Sequence, residues 1–314
     1  LIVNVIETNP ISKTYLWENK FQSKYNIFKL NKKTIDRFRT HELALEINQL
    51  LYDKHPDIIF ITGWYHKVHH YLLYKSFQKK IPLVLLSDSR FRDEKRFFFK
   101  EFIKRLLIKG FSSAIVAGIE SRNYLLKLKF SNERIFTPYD VVDNDYFLKH
   151  KNPKKIPYSN YFLCVARFIK KKNHKTLIEA FEIYKKNNGK LNLLLIGFGP
   201  EEKSIKKEIN KTKFKKSIFI DSWKQINELP TYYKNSNAVI LASITDQWGL
   251  VINEAMSCGK PCLVSKSCGC YLDLIEDSKT GWGFDSNNPR ELASLLHKVD
   301  SLNDQELKEL ENNI

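Results

Sequence analysis

Short apolar runs that alternate with amphipathic stretches constrain this chain more than any other feature of its sequence. Apolar runs of strand length lie at 58–62, 83–86, 114–117, 161–166, 191–197, 217–220, 238–242 and 261–265. The stretches between them have helical periodicity, at 41–54, 66–79, 93–110, 120–129, 174–187, 201–211, 227–235 and 249–258. Because alternating strands and helices build parallel sheets covered by helices, the sequence predicts an α/β fold.

The chain has 314 residues, which is enough for two domains of ordinary size. Residues 142–160 are rich in Asn, Lys, Pro and Tyr and lack a sustained apolar period, so we place the connector between the domains there. The expected domains are therefore 1–150 and 151–314. In such sheets, ligands bind beyond the carboxyl ends of the strands, and two domains of this kind imply a cleft between them.

The basic character of the chain has two interpretations. Its 52 Lys and Arg residues against 35 Asp and Glu give a formal net charge of +17, which suits a nucleic acid or an anionic membrane. The other interpretation is compositional bias, because 42 of the basic residues are Lys and 10 are Arg. Arg is the residue that most often reads base edges, so we expect no nucleic-acid partner and keep a basic nucleic-acid-binding protein as an alternative.

The five cysteines point to reduced thiols. They lie at positions 164, 258, 262, 268 and 270. An odd number without a secretory signal predicts a cytoplasmic protein. The last four have the spacing C-x3-C-x5-C-x-C, which invites a zinc site, but Cys258 ends a predicted helix and Cys262 begins a predicted strand. Structural zinc sites favour paired knuckles on turns, so we expect no metal here.

A polar loop with two carboxylates follows the strand at 238–242. The loop carries Asp246, a helix then starts near Gly249, and Glu254 lies within that helix. Amides at a helix N-terminus suit a phosphate, which makes Gly249, Leu250 and Val251 candidate phosphate-binding residues. The two carboxylates would instead accept hydrogen bonds from the hydroxyls of a sugar or ribose. The alternative is that Asp246 caps the helix and that Glu254 is a solvated helical residue.

A basic loop follows the strand at 161–166. Arg167 and Lys172 in this loop have the chemistry to clamp a diphosphate and to stabilise the charge on a leaving group. The alternative is a solvated basic loop. After the next strand, Gly197 and Gly199 predict a tight turn near a nucleotide, because Glu202 stands where a dinucleotide-binding fingerprint needs a third Gly.

These motifs resemble the donor site of family 4 glycosyltransferases, the glycosyl transferases group 1, which are retaining enzymes of GT-B architecture. The stretch Gly249-Leu-Val-Ile-Asn-Glu254-Ala-Met-Ser-Cys-Gly259-Lys-Pro261 is similar to the motif of that family. Arg167 and Lys172 have the family's spacing, and Asp246 stands where the family usually has Glu. The resemblance is strong over 160–300 and weaker over 55–150.

The resemblance implies two Rossmann-like domains, with parallel sheets that face an interdomain cleft, and a hexosyltransferase-type reaction with retention. The donor would be a nucleotide sugar and the acceptor a glycan or a lipid-linked molecule, with no cofactor or metal. Glu254 would contact the ribose, Asp246 would position the transferred sugar, and the phosphates would be held by Arg167, Lys172 and the turn and helix residues Gly197, Gly249, Leu250 and Val251. Because Asp246 is shorter than Glu, a catalytically inactive nucleotide-sugar-binding module is the alternative.

The first half of the chain offers candidates for the acceptor side. Trp64 and His66 follow the strand at 58–62, and Asp88 follows the strand at 83–86. His66 or Asp88 would orient or deprotonate an acceptor hydroxyl, although an Asp at a strand end is as often a cap. The family's Gly-rich first loop is not recognisable, so we expect the first strand and this loop to precede residue 1.

A D-x-D motif and a basic helix remain. Asp143 and Asp145 form the D-x-D, but they resemble the family's interdomain linker more than a metal site. The stretch 93–110 is a basic amphipathic helix with one apolar face formed by Phe99, Phe102, Ile103, Leu106 and Leu107. Such a helix suits an anionic membrane surface, which predicts peripheral attachment to the inner face of the membrane. The alternative is a core-packed helix with solvated lysines.

Overall fold

A computed structural model describes residues 4–8, 26–30, 40–149 and 156–314 of the chain. These residues form two compact units. The first contains the described residues of Leu1–Ser87 together with Arg96–Val116 and Leu126–Phe136. The second contains Asp88–Lys95, Ala117–Leu125 and Thr137–Ile314. Two short segments from the first half of the sequence therefore belong to the unit that holds the second half.

The first unit is built on parallel strands. Strands β1 (Asn4–Thr8) and β2 (Asn26–Leu30) pair with each other. A four-stranded parallel sheet has the order β3-β4-β5-β6, with β3 (Ile59–Thr62), β4 (Leu83–Ser87), β5 (Ser113–Val116) and β6 (Ile135–Phe136). The helices between these strands are α1 (Thr40–Lys54), α2 (Lys67–Lys79), α3 (Phe98–Ile108) and α4 (Ile119–Lys127), the last of which starts in the second unit.

The second unit contains a six-stranded parallel sheet with the order β12-β11-β10-β7-β8-β9. Its strands are β7 (Tyr161–Val165), β8 (Asn192–Ile196), β9 (Ile218–Asp221), β10 (Ala238–Leu241), β11 (Cys262–Ser265) and β12 (Gly281–Phe284). Its helices are α5 (Asn144–Lys149), α6 (His174–Lys186), α7 (Glu202–Lys211), α8 (Leu229–Lys234), α9 (Leu250–Ser257), α10 (Tyr271–Leu274), α11 (Pro289–Asp300) and α12 (Asp304–Asn313).

Both faces of the six-stranded sheet are buried. Along β7, Phe162 and Cys164 point into one apolar cluster, and Leu163 and Val165 point into another. A sheet covered on both sides needs apolar residues at every strand position, which explains why its strands read as continuous apolar runs. The expected α/β fold with parallel sheets is confirmed.

The predicted strands and most predicted helices match the observed ones to within two residues. The helix predicted over 93–110 is shorter, because Phe91–Asp93 forms a separate 3-10 turn and α3 begins at Phe98. The predicted connector contains α5, whose first turn is capped by the Asp143 carboxylate, which accepts a hydrogen bond from Tyr146 N at 3.0 Å. Residues 150–155 of the connector lie outside the described residues, and the division at residue 150 stays a prediction.

Several elements were not predicted. Strand β12 contains two glycines in four residues, which weakens its apolar signal, although it completes one edge of the sheet. Helix α11 follows an Asn288-Pro289 pair, a common start signal, and the Asn288 side chain accepts a hydrogen bond from Glu291 N. Within the described part of the chain, none of the helices is both long and apolar enough to cross a bilayer.

Gly197 allows the closest approach of the turns that follow β7 and β8. A Cβ atom at this position would lie 1.9 Å from the carbonyl oxygen of Ala166. The backbone of Ala166 is held by the hydrogen bond from its N–H to Ile196 O, at 3.0 Å. A side chain at residue 197 therefore forces the two turns apart.

We expect Gly197→Ala to lower the free energy of unfolding by about 1–3 kcal/mol, the usual cost of overpacking. Urea unfolding followed by circular dichroism measures the change. Ser204→Ala is the control, because Ser204 lies on the exposed side of α7 close to the same turn. Equal stability of the two variants would contradict the close approach.

Candidate functional site

The strand order of the six-stranded sheet defines where a ligand site belongs. The first strand of this sheet along the chain is β7. Strands β8 and β9 extend the sheet on one side of β7, and the chain then returns to add β10, β11 and β12 on the other side. Ligands of open parallel sheets bind at this switch point, beyond the carboxyl ends of the two central strands. The loop after β7 carries Arg167 and Lys172, and the loop after β10 carries Asp246. The two loops are joined by a hydrogen bond from Ile244 N to Lys171 O at 2.8 Å.

Lys172 and Asp246 contact each other across the two loops. The Lys172 ammonium donates a hydrogen bond to the Asp246 carboxylate, and both side chains are mostly buried, with exposed fractions of 13% and 12%. The Ser243 hydroxyl donates to the same carboxylate oxygen at 3.2 Å. The structure therefore brings together the expected phosphate-binding cation and the expected sugar-binding carboxylate. A solvated loop does not describe Lys172.

Helix α9 starts beside this ion pair. Its N-cap is Gly249, with a φ of 117°, and no side chain caps the helix. The interpretation of Asp246 as the cap is therefore wrong, because its carboxylate binds Lys172 instead. Leu250 and Val251 occupy the first turn, where the N–H groups of a helix have no partners within the helix. This end of α9 has the amide donors and the partial positive charge that suit a phosphate.

Glu254 lies on the buried side of α9, with 8% of its surface exposed. The Tyr233 hydroxyl, from α8, donates a hydrogen bond to Glu254 Oε2 at 2.5 Å. Burial raises the pKa of Glu254 to about 7, although the hydrogen bond from Tyr233 opposes this shift. Glu254 is therefore not a solvated helical residue. It is a carboxylate that is held in a fixed orientation and that titrates near neutral pH.

Arg167 and Gly197 follow neighbouring strands of the sheet. Arg167 is half-buried directly after β7, and the next residue, Phe168, is fully buried. Phe168 N donates to Phe198 O at 2.7 Å, which fixes the loop after β7 against the turn after β8. Arg167 and Gly197 thus lie at the carboxyl edge of the sheet, as the sequence predicted for donor-binding residues.

Asp88 lies in the second unit, next to the loop that follows β10 and carries Asp246. The Gln247 amide donates to Asp88 Oδ1 at 3.3 Å, and burial raises the pKa of Asp88. The sequence placed Asp88 on the acceptor side, and the structure places it beside the residue that follows Asp246.

Asp140 is a further carboxylate in this region that the sequence analysis missed. Burial, followed by the carboxylates of Asp88 and Asp246, raises the pKa of Asp140 to about 6. Its Oδ2 atom is buried without a hydrogen-bond partner. The only signal in the sequence was an acidic residue just before the predicted connector, and nothing local indicated that it faces two other carboxylates.

Trp64 and His66 lie in the first unit, directly after β3. The Trp64 carbonyl accepts a hydrogen bond from His70 Nε2 at 2.9 Å. His66 precedes α2 as its N-cap residue, and its ring packs edge-on against Tyr65 and His69. The role of these two residues in acceptor binding stays a prediction.

The cysteines and the D-x-D motif have structural roles. All five thiols are free and buried, and burial raises the pKa of each. Asp143 caps α5, as described above, and Asp145 pairs with Lys149 at 2.9 Å. Across the residues that the structure describes, no group of three or more His, Cys, Asp or Glu side chains is arranged to hold a metal ion.

Comparison with known sequences identifies a family and several relatives. The family described as glycosyl transferases group 1 matches residues 147–314. The alpha-monoglucosyldiacylglycerol synthase of Acholeplasma laidlawii is 30% identical over 135 residues, which is 43% of this chain and 33% of that protein. The amylovoran biosynthesis glycosyltransferase AmsK of Erwinia amylovora is 29% identical over 143 residues, 44% of this chain and 35% of the relative. The match thus spans about a third of the length of these relatives.

Solved structures extend the likeness to both units. A glycosyltransferase from Rickettsia africae superposes with a TM-score of 0.76 at 17% identity, over 92% of this chain and 78% of that one. Alr3699/HepE of Anabaena, in complex with UDP, superposes with a TM-score of 0.73 at 16% identity, over 92% and 80% of the two chains. At such identities the likeness establishes the fold, which is GT-B. Since the family match covers more than half of the sequence, the chain belongs to the glycosyl transferases group 1 family.

Proposed function

We propose that this protein is a retaining, hexosyltransferase-type glycosyltransferase that moves a sugar from a nucleoside diphosphate sugar to a glycan or lipid-linked acceptor. The observation that carries the proposal is the ion pair of Lys172 and Asp246 at the switch point of the sheet, beside the N-terminus of α9, with Glu254 further along the same helix. This arrangement combines a cation, helix amides and two carboxylates, which is the chemistry needed to hold both a diphosphate and sugar hydroxyls.

The diphosphate of the donor would be bound by positive groups of the chain. Arg167 and Lys172 lie at the carboxyl edge of the sheet, and the amides of Leu250 and Val251 add the positive end of α9. When the bond to the sugar breaks, negative charge develops on the leaving phosphate. Fixed cations and amides stabilise that charge, so these groups would do the work of a metal ion.

The ion pair between Lys172 and Asp246 would change partners when the donor binds. Without a ligand, the ammonium neutralises a carboxylate that would otherwise repel phosphate. A diphosphate offers more negative charge than one carboxylate, so it would draw the ammonium away. Asp246 would then accept hydrogen bonds from hydroxyls of the transferred sugar. Glu254, further along α9, would accept hydrogen bonds from the hydroxyls of the ribose.

The relatives support this class of donor and acceptor. Alr3699/HepE has been crystallised with UDP-glucose, which supports a nucleoside diphosphate sugar as the donor. The names of the Acholeplasma and Erwinia relatives refer to a glycolipid and to a polysaccharide product. The retaining course of the reaction rests on the resemblance of the donor-site motif to family 4.

Helix α3 supports an acceptor that is presented at a membrane. Its apolar face is open to solvent, with exposed fractions of 90% for Phe98, 71% for Phe99 and 47% for Phe102. The helix also carries three basic residues and one acidic residue, Glu101. A core-packed helix does not leave such rings exposed, whereas an anionic membrane would cover the rings and attract the lysines. We therefore include peripheral binding to an anionic membrane in the proposal.

The first prediction concerns the cation at the switch point. Lys172→Met removes the positive charge, so we expect it to weaken the affinity for a nucleoside diphosphate at least tenfold, which corresponds to about 1.4 kcal/mol. A thermal-shift screen of UDP, GDP, ADP and dTDP chooses the diphosphate, and calorimetry measures its dissociation constant.

Lys170→Met is the matched control, because Lys170 belongs to the same 3-10 turn but is exposed. It should change the affinity less than twofold. Unchanged affinity in Lys172→Met would rule out its role at the phosphates. If the wild-type protein binds the donor but neither hydrolyses nor transfers its sugar, the chain is an inactive binding module.

The second prediction concerns Glu254 and pH. Glu254→Gln keeps an acceptor for Tyr233 but removes the buried charge. The pKa of Glu254 is raised from 4.5 to about 7 in the folded protein, so the unfolded chain loses this proton at a lower pH than the folded protein does. The free energy of unfolding of the wild-type protein therefore falls as pH rises through this range. The variant should therefore become more stable relative to wild type by about 1 kcal/mol between pH 6 and pH 8.5.

The same variant should lose transfer activity, because an amide oxygen accepts hydrogen bonds from the ribose hydroxyls less strongly than a carboxylate does. Glu179→Gln serves as control, since Glu179 is exposed on α6 and should show no such pH dependence. Chemical denaturation at both pH values, together with a transfer assay, measures the two effects. A Glu254→Gln protein with full transfer activity would refute the assignment.

The third prediction tests helix α3. Phe98→Ser combined with Phe102→Ser should reduce binding to phosphatidylcholine vesicles that contain phosphatidylglycerol by tenfold or more, since each buried ring contributes about 1.5–3 kcal/mol. Binding should also weaken with added salt. Vesicle co-sedimentation measures both effects.

Phe77→Ser is the matched control, because Phe77 is 86% exposed but lies on α2. It should bind the vesicles as the wild type does. Equal loss in both proteins, or no binding by the wild type, would remove the membrane from the proposal.

A further inference from the structure

Arg90 is the most deeply buried charged side chain near the candidate site. Only 1% of its surface is exposed, although it lies in the segment between β4 and the 3-10 turn at Phe91–Asp93. Burial of a guanidinium is costly unless all its donors are paired. The residues that pair with Arg90 therefore indicate what this cost secures.

Two carboxylates, those of Asp93 and Glu120, neutralise the guanidinium. Asp93 accepts a hydrogen bond from Arg90 Nε at 2.9 Å and from Arg90 N at 2.7 Å. Glu120, in the first turn of α4, accepts from Nη1 at 2.8 Å. These contacts with Asp93 and Glu120 fix the orientation of the guanidinium.

The remaining donors reach the loops that follow β10 and β11. Nη2 donates to the Thr245 hydroxyl at 3.0 Å, and Nη1 donates to the Ser267 carbonyl at 2.9 Å. Thr245 directly precedes Asp246, and Ser267 directly precedes Cys268. One planar group thus binds one residue in each of the two loops.

The two loops run side by side. Asp246 and Cys268 form a parallel bridge, and Gly269 N donates to Asp246 O at 2.9 Å. A Cβ atom at Gly269 would lie 1.8 Å from Gln247 O and 3.2 Å from Arg90 Cδ. The two loops and the arginine side chain are thus closely packed at Gly269.

We propose that Arg90 is a positioning residue that fixes Asp246 for the transferred sugar, by holding Thr245 and Ser267 in one hydrogen-bonding plane. This inference rests on the proposed function, because it gives Asp246 its role toward the sugar. Lysine cannot replace Arg90 here, since a single ammonium lacks the planar fork that reaches two loops and two carboxylates at once. Arg90 acts through the loop and does not itself contact the donor.

The sharpest test uses Thr245, because Arg90 variants would remove the guanidinium that binds both Asp93 and Glu120, and unfolding would then obscure the result. Thr245→Val removes one acceptor and keeps the shape of the side chain. We expect kcat to fall at least fivefold while the dissociation constant for UDP changes less than twofold. Thr245→Ser, which keeps the hydroxyl, should restore kcat. Arg92→Lys is the matched control, because Arg92 binds Glu120 and the Lys266 carbonyl at the rim of the same cluster.

Hydrogen–deuterium exchange gives a readout that does not depend on catalysis. In Thr245→Val, amides over 244–249 should exchange at least threefold faster than in wild type, while Arg92→Lys leaves them unchanged. Wild-type kcat and exchange in Thr245→Val would overturn the proposal, as would an equal fall in kcat and in UDP affinity. If the wild type binds none of the nucleoside diphosphates in the screen and transfers no sugar, the proposed function fails, but the exchange data still decide whether Arg90 holds the loop.

Discussion

The parallel pairing of β7 with β10 is the constraint on which the candidate site depends. Ala238 lies opposite Phe162 and Val239 lies opposite Leu163, so both strands end at the same edge of the sheet. The chain then leaves them toward opposite faces, because α6 packs into the apolar cluster on one face and α9 into the cluster on the other. Two loops that emerge together and separate must leave a crevice between them, and this is where Lys172 and Asp246 meet.

The second unit contains two carboxylates whose ionised forms are disfavoured, Asp140 and Glu254. Burial raises the pKa of both groups, and the carboxylates of Asp88 and Asp246 raise the pKa of Asp140 further. A protein selected for stability alone would replace such groups with neutral ones. Perturbed carboxylates cluster at functional sites because a ligand can supply the missing partners. Under the proposed function, hydroxyl groups of the sugar and of the ribose would donate hydrogen bonds to such carboxylates and stabilise their ionised forms.

The sequence predicts the parts of the site that are local in the chain. Arg167, Lys172, Asp246 and Glu254 belong to motifs of fewer than about twenty residues, and each motif follows a strand that is recognisable from its apolar run. Tyr233 and Arg90 were not predicted, because their roles depend on partners that only the fold brings near. Arg90 and Ser267 are 177 positions apart. Neither residue has a neighbour in the sequence that indicates a buried ion cluster.

Periodicity also leaves open what covers an apolar stripe. Helices α3 and α6 both carry large apolar side chains on one face, and the pattern alone favours core packing for each. In α6, Leu177, Phe181 and Tyr184 are fully buried against the sheet, whereas in α3 the rings of Phe98 and Phe102 face solvent. The hydrophobic effect requires that a stripe be covered but does not choose between protein and membrane. Under the proposed function, an anionic membrane would cover the α3 stripe and attract the basic residues beside it.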